Sequence, residues 1–146
     1  MLLGTPGVQA AQEAVTETTL DNGLRVLILE DHRSPIATIQ TWYKVGSRNE
    51  IPGATGLAHF LEHMMFKGTP AHGKGEFSQT VEENGGQDNA FTTQDVTSYY
   101  VNIASDRVSL ILGLEADRMR NLLLEARRDR LRAAGGGGGA AHAHRG

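Results

Sequence analysis

GLAHFLEHMMFKG, residues 56–68, carries His59, Glu62 and His63 in the order H-x-x-E-H. Each residue of a helix advances the chain by about 100°, so these three side chains fall within roughly one third of the circumference and form one polar stripe. Leu57, Phe60, Leu61 and Met64 project from the other side, which predicts a helix that buries its apolar face against a sheet or another helix. Two imidazoles at i and i+4 can converge on one metal ion. A carboxylate just before the second can reach water held by that ion, which is the chemistry of a zinc hydrolase. Taken bare, the five-residue pattern leaves two readings open: a metal site, or histidines packed and capped in an apolar helix.

The flanking chain supplies a scaffold for such a helix. Upstream, residues 46–55 contain Asn49, Pro52 and Gly53 and read as loop. Residues 37–45 alternate, with Ala37, Ile39, Thr41, Tyr43 and Val45 on one face of a strand and Trp42 on the other, packing against a helix. Residues 18–29 read as a hairpin turned at Asp21-Asn22-Gly23, because Asn and Gly accept the positive φ of tight turns. Downstream, residues 68–75 form a Gly/Pro-rich connector holding a solvated His72. Phe77 and Val81 mark a second helix that stops at Asn84-Gly85-Gly86. Residues 87–92 and 96–103 read as strands joined around Thr93-Gln94-Asp95, with Tyr99, Val101 and Ile103 on a buried face. Ser105 or Asp106 then caps a long amphipathic helix in which Val108, Ile111, Leu112, Met119, Leu122 and Leu123 recur at three- and four-residue intervals. The pattern predicts an α+β fold, an antiparallel or mixed sheet with helices packed on one face.

Composition sets limits on partners. A chain of 146 residues, 39% hydrophobic and 21% charged, has room for one domain with a modest core. No apolar run approaches a membrane span. Without cysteine, His and carboxylates are the plausible zinc ligands. The formal charge of −3 argues against a general nucleic-acid binder. That average hides a split: residues 126–146 hold five of the arginines and one aspartate, a net +4 that leaves the first 125 residues at −7. The arginine tail also lacks aromatic residues for base stacking. It includes five consecutive glycines and is expected to be disordered. At the other end, Val8-Gln9-Ala10 has the small-residue pattern of a signal-peptidase site, without a basic start or a full apolar segment. Residues 1–17 are therefore expected to be either an export-signal remnant, implying a periplasmic or secreted protein, or a plain N-terminal extension of a cytoplasmic one.

Four runs in order closely resemble the pitrilysin/insulinase family of zinc peptidases, the processing-peptidase type included. They are TTLDNGLRVLILEDHRSPIATIQTWYKVGSRNE (18–50), PGATGLAHFLEHMMFKGTP (52–70), GGQDNAFTTQDVTSYYVNI (85–103) and LEADRMRNL (114–122). The resemblance implies that residues 18–125 are the N-terminal part of a zinc peptidase domain. It makes His59 and His63 ligands of Zn2+ and Glu62 the general base, which takes a proton from attacking water and passes it to the leaving amine. It also makes residues 85–91 an edge strand, where Asn89, Ala90 and Phe91 hold an extended peptide substrate by main-chain hydrogen bonds and one side-chain pocket. A second peptidase-like domain or subunit is expected as partner. Glu115, Asp117 and Arg118 match the family's E-A-D-R-M run and read as helix-surface or interhelical ion pairs.

The family's third ligand is a glutamate roughly 75 to 77 residues beyond the second histidine. In this chain that distance reaches Gly138, Gly139 and Ala140, none of which binds metal. Three explanations follow: a reading frame lost near residue 125, a non-catalytic relative acting as a peptide-binding or assembly subunit, or recruitment of His142 or His144. A five-glycine hinge preorganises no ligand, which disfavours the third. The resulting expectation is a zinc metalloendopeptidase fragment, inactive alone.

Overall fold

The structure, a computed structural model, describes residues 15–124. The signal-like stub, the arginine tail, positions 138–140 and both His142 and His144 lie outside the described residues. The chain divides into two compact units, one ending at Pro35 and the other beginning at Ile36.

The first unit is a hairpin. Strands β1 (Val15–Thr19) and β2 (Arg25–Leu29) pair antiparallel, from Val15 opposite Leu29 to Thr19 opposite Arg25. Gly23 takes φ +84° in the turn, and Asn22 Oδ1 accepts the Leu24 amide at 3.1 Å, as Asp21-Asn22-Gly23 predicts. The first strand starts at Val15, so residues 15–17, expected to belong to the extension, are paired here.

The second unit is a three-stranded antiparallel sheet with helices on one face. Its strands are β3 (Ile36–Tyr43), β4 (Gln87–Thr92) and β5 (Thr97–Ala104), in the order β3-β5-β4. Helices α1 (Leu57–Met64), α2 (Glu76–Glu83) and α3 (Val108–Asn121) complete it. The fold is therefore α+β, as the sequence predicts, with its strands in two antiparallel sheets. Val101 and Ile103 of β5 meet Phe77 and Val81 of α2 and Ile111 and Leu114 of α3 in one apolar core. No helix among the described residues is long and apolar enough to cross a membrane.

Four expectations need correction. Trp42 does not pack against a helix: all three helices lie on the other face, so its ring is 55% exposed and meets Phe91 edge-on at 5.8 Å. On α1 the leucines do not form the buried side. Leu57 is 48% exposed and Leu61 is also exposed, while Ala58, Glu62 and Met64 are buried. Helix α3 is entered through a 3-10 turn, Ser105–Arg107, and neither Ser105 nor Asp106 caps it with a side chain. Finally, α3 buries Ile111, Leu114, Glu115 and Arg118, whereas Leu112 and Met119 face outward and Leu122 and Leu123 follow its end. Several large apolar residues fit a helical period along α3, and the packing partner selected one stripe of them.

That stripe predicts a contrast between neighbours. Ile111→Ala opens a cavity in the core and should lower unfolding free energy by about 3 kcal/mol. Leu112→Ala, on the outward side, should stay within about 0.5 kcal/mol. Denaturant midpoints of the two variants check this, and equal losses would contradict the assignment of faces.

Candidate functional site

Helix α1 begins at Gly56, whose φ of +88° suits glycine and whose missing side chain leaves the first-turn amides without a local cap. A distant carboxylate fills that role. Glu50 Oε2 accepts the Gly56 amide at 2.8 Å and Oε1 accepts the Ala58 amide at 2.9 Å. These bonds, Ala58's first, hold the Glu50 carboxyl below its ordinary value of 4.5. Glu50 is placed by the loop before it, which is tied to the β4–β5 turn. The Ser47 amide donates to Thr93 O at 3.1 Å and the Arg48 amide to Gln94 O at 2.9 Å. Gly46 admits this approach, since a Cβ there would lie 2.4 Å from Thr93 O.

One turn apart on α1, His59 and His63 bring their Nε2 atoms to 3.1 Å. Both side chains are exposed. With one ring as donor and the other as acceptor, the pair forms a hydrogen bond. Two nitrogens each about 2.0–2.1 Å from a tetrahedral zinc ion lie about 3.3 Å apart, so the rings fit as two ligands of one ion. Among the described residues, no group of three or more His, Cys, Asp or Glu side chains is placed to hold a metal.

Glu62 turns from the imidazoles toward the sheet. It is only 8% exposed, and its Oε2 accepts the hydroxyl of Thr92, the last residue of β4. The helix thus presents His59 and His63 to solvent and the carboxylate to the strand, splitting what the sequence reading took as one stripe. Along β4 the alternation also separates the expected peptide-binding residues. Ala90 shares Thr92's side, toward the helices, whereas Asn89 and Phe91 lie on the opposite face. β4 pairs with β5 along one edge and with no strand along the other among the described residues. Asn89 Oδ1 accepts the Ala90 amide at 2.8 Å.

Behind the site sits a buried charge pair that the sequence reading placed at a surface or between helices. Arg118, 3% exposed, donates to Glu115 on its own helix at 3.0 and 2.5 Å. Its guanidinium lies 4.1 Å from the ring centre of Phe77, 4.6 Å from that of Tyr99 and 5.6 Å from that of Phe66. His72, expected to be solvated, is half-buried and bonds Glu76 Oε1 through Nδ1 at 3.0 Å. The sequence reading missed Glu50 and Thr92. Strand alternation could have placed Thr92 beside Ala90 on the helix side, but no local signal marks Glu50 as the cap of a helix that starts later.

Residues 25–130 match the family model described as Insulinase (Peptidase family M16). The probable mitochondrial-processing peptidase subunit beta of Arabidopsis thaliana is 39% identical over 111 residues, which cover 76% of this chain and 21% of that protein. Zinc protease PqqE of Helicobacter pylori is 39% identical over 108 residues, 73% of this chain and 24% of that protein. Among solved structures, a protease from Helicobacter pylori superposes with TM-score 0.76 and 35% identity over 84% of this chain and 29% of its own. Pitrilysin superposes with TM-score 0.74 and 27% identity over 86% of this chain and 14% of its own. The chain spans 21% and 24% of the length of these two curated relatives.

Glu50 makes the site helix acid-sensitive. A folded pKa below the unfolded one gives stability that is present at neutral pH and lost as pH falls through the lowered value. Wild type should melt above Glu50→Ala at pH 7, with the gap narrowing as pH drops below 4.5. Thermal melts across that range check it, and a constant gap would contradict the capping role.

Proposed function

Because the chain belongs to the insulinase family of peptidases, family M16, we propose that it carries the metal-binding helix of a zinc metalloendopeptidase. In this reading His59 and His63 ligate zinc and Glu62 is the general base. The observation that carries it is the 3.1 Å approach of the two Nε2 atoms, close to the spacing that two imidazoles on one tetrahedral ion require. Relatives named zinc proteases support zinc as the ion.

Bound zinc supplies Lewis-acid activation of water and of the scissile carbonyl. The chain's own residues do the rest. Glu62, largely shielded from bulk water, accepts a proton from the attacking water and delivers it to the leaving amide nitrogen. The edge of β4 receives an extended peptide through main-chain hydrogen bonds, with the Ala90 amide released from Asn89 Oδ1 as one donor. Phe91, beside Trp42, gives a neighbouring substrate side chain an aromatic surface. Completion of the metal centre by a third ligand from outside the described residues, and pairing with a second peptidase-like domain or subunit, belong to the same proposal. One relative is itself named a subunit.

The absence of a third ligand among the described residues favours a second reading, a peptide-binding or assembly module that does not cleave. Zinc titration and a peptide assay distinguish them. On the metallopeptidase reading, His59→Ala and His63→Ala each weaken zinc binding at least tenfold. With the completing ligand and domain present, Glu62→Gln keeps zinc and slows cleavage about 10²- to 10⁴-fold. Peptide affinity that persists without metal, together with a silent Glu62→Gln, would select the non-cleaving module.

A further inference from the structure

We propose that Thr92 is a positioning residue for Glu62: its hydroxyl holds one carboxylate oxygen and leaves the other to move the proton. This rests on the reading of Glu62 as general base. The hydrogen-bond accounting is short. A threonine hydroxyl has one proton to donate. Thr97, directly opposite Thr92 in the sheet, donates its proton to Val45 O at 2.9 Å. The two hydroxyl oxygens are 3.3 Å apart. With Thr97's proton directed at Val45, Thr92's is available, and the charged carboxylate is a stronger acceptor than a second hydroxyl. It goes to Glu62 Oε2.

The placement is rigid at each step. Threonine is branched at Cβ and stiff at χ1, so the β4 backbone determines where the hydroxyl points. Thr97 is buried, and Thr92 is half-buried. Glu62 has three side-chain torsions and would otherwise sample several rotamers. With Oε2 engaged, Oε1 carries no hydrogen bond among the described residues and is the oxygen free to take a proton. The strand proposed to receive the peptide therefore also orients the base at its last residue.

The test uses the full chain with Thr92→Val, which keeps the shape and removes the hydroxyl, and Thr92→Ser, which keeps the hydroxyl. Side-chain scalar couplings of Glu62, read by NMR on isotopically labelled protein, should report one rotamer in wild type and Thr92→Ser and averaging in folded Thr92→Val. A single Glu62 rotamer in folded Thr92→Val overturns the proposal. If that variant does not fold, the wild-type Thr92 hydroxyl proton decides: slow solvent exchange supports the bond and rapid exchange overturns it. Zinc titration is run in parallel and should be unchanged by either variant, since Thr92 touches Glu62 and neither imidazole. The zinc titration bears on the metallopeptidase reading and the rotamer measurement on the Thr92 bond alone, so the two failures are separable.

Discussion

A charged group taken out of water must find its compensation within the protein, and three such groups organise the second unit of this chain. Glu62, Glu115 and Arg118 are all buried. A buried charge without a partner costs several kcal/mol, so each constrains the elements around it. Arg118 and Glu115 neutralise one another along α3, while the guanidinium rests on Phe77 of α2, Tyr99 of β5 and Phe66 just beyond α1. One side chain thereby connects three helical regions to the sheet. Burial raises the neighbouring Tyr43 and Tyr99 phenols above their ordinary values.

Glu62 is compensated differently, by a neutral hydroxyl from β4. That bond joins the helix carrying the imidazole pair to β4, whose other edge pairs with no strand among the described residues. A second connection reaches the same helix from its other end. The turn after β4 holds the loop at 46–48, and two residues later Glu50 caps the first turn of α1. Strand and helix are thus linked directly through Thr92 and indirectly through Glu50. A displacement of β4 would be felt at Glu62 and at the start of α1 together.

How much of this was legible in the sequence depended on the range of the interaction. The imidazole pair was legible because four residues of helix place the two rings on one side regardless of what surrounds them. The Asp21-Asn22-Gly23 turn was legible for the same reason, local backbone geometry acting alone. The orientation of α1 was not. Leu57 and Leu61 argued for one buried side, yet packing turns Ala58, Glu62 and Met64 inward, with Glu62 bonded to the hydroxyl of Thr92 thirty positions later, and leaves both leucines exposed. Trp42 misled similarly, because its size suggests burial, whereas the helices all cover the other face of its strand.

Sequence by itself determined the element types, the pairing of His59 with His63 and part of the core, namely Phe77, Val81, Tyr99, Val101, Ile103 and Ile111, since each follows from helical or strand periodicity over a few residues. Tertiary structure alone decided which faces of α1 and α3 are buried, that Glu50 caps α1, that Thr92 holds Glu62 and that Arg118 is interior. The physical reason is that these depend on partners distant in the chain. Periodicity states which residues share a side, and only packing states what that side meets.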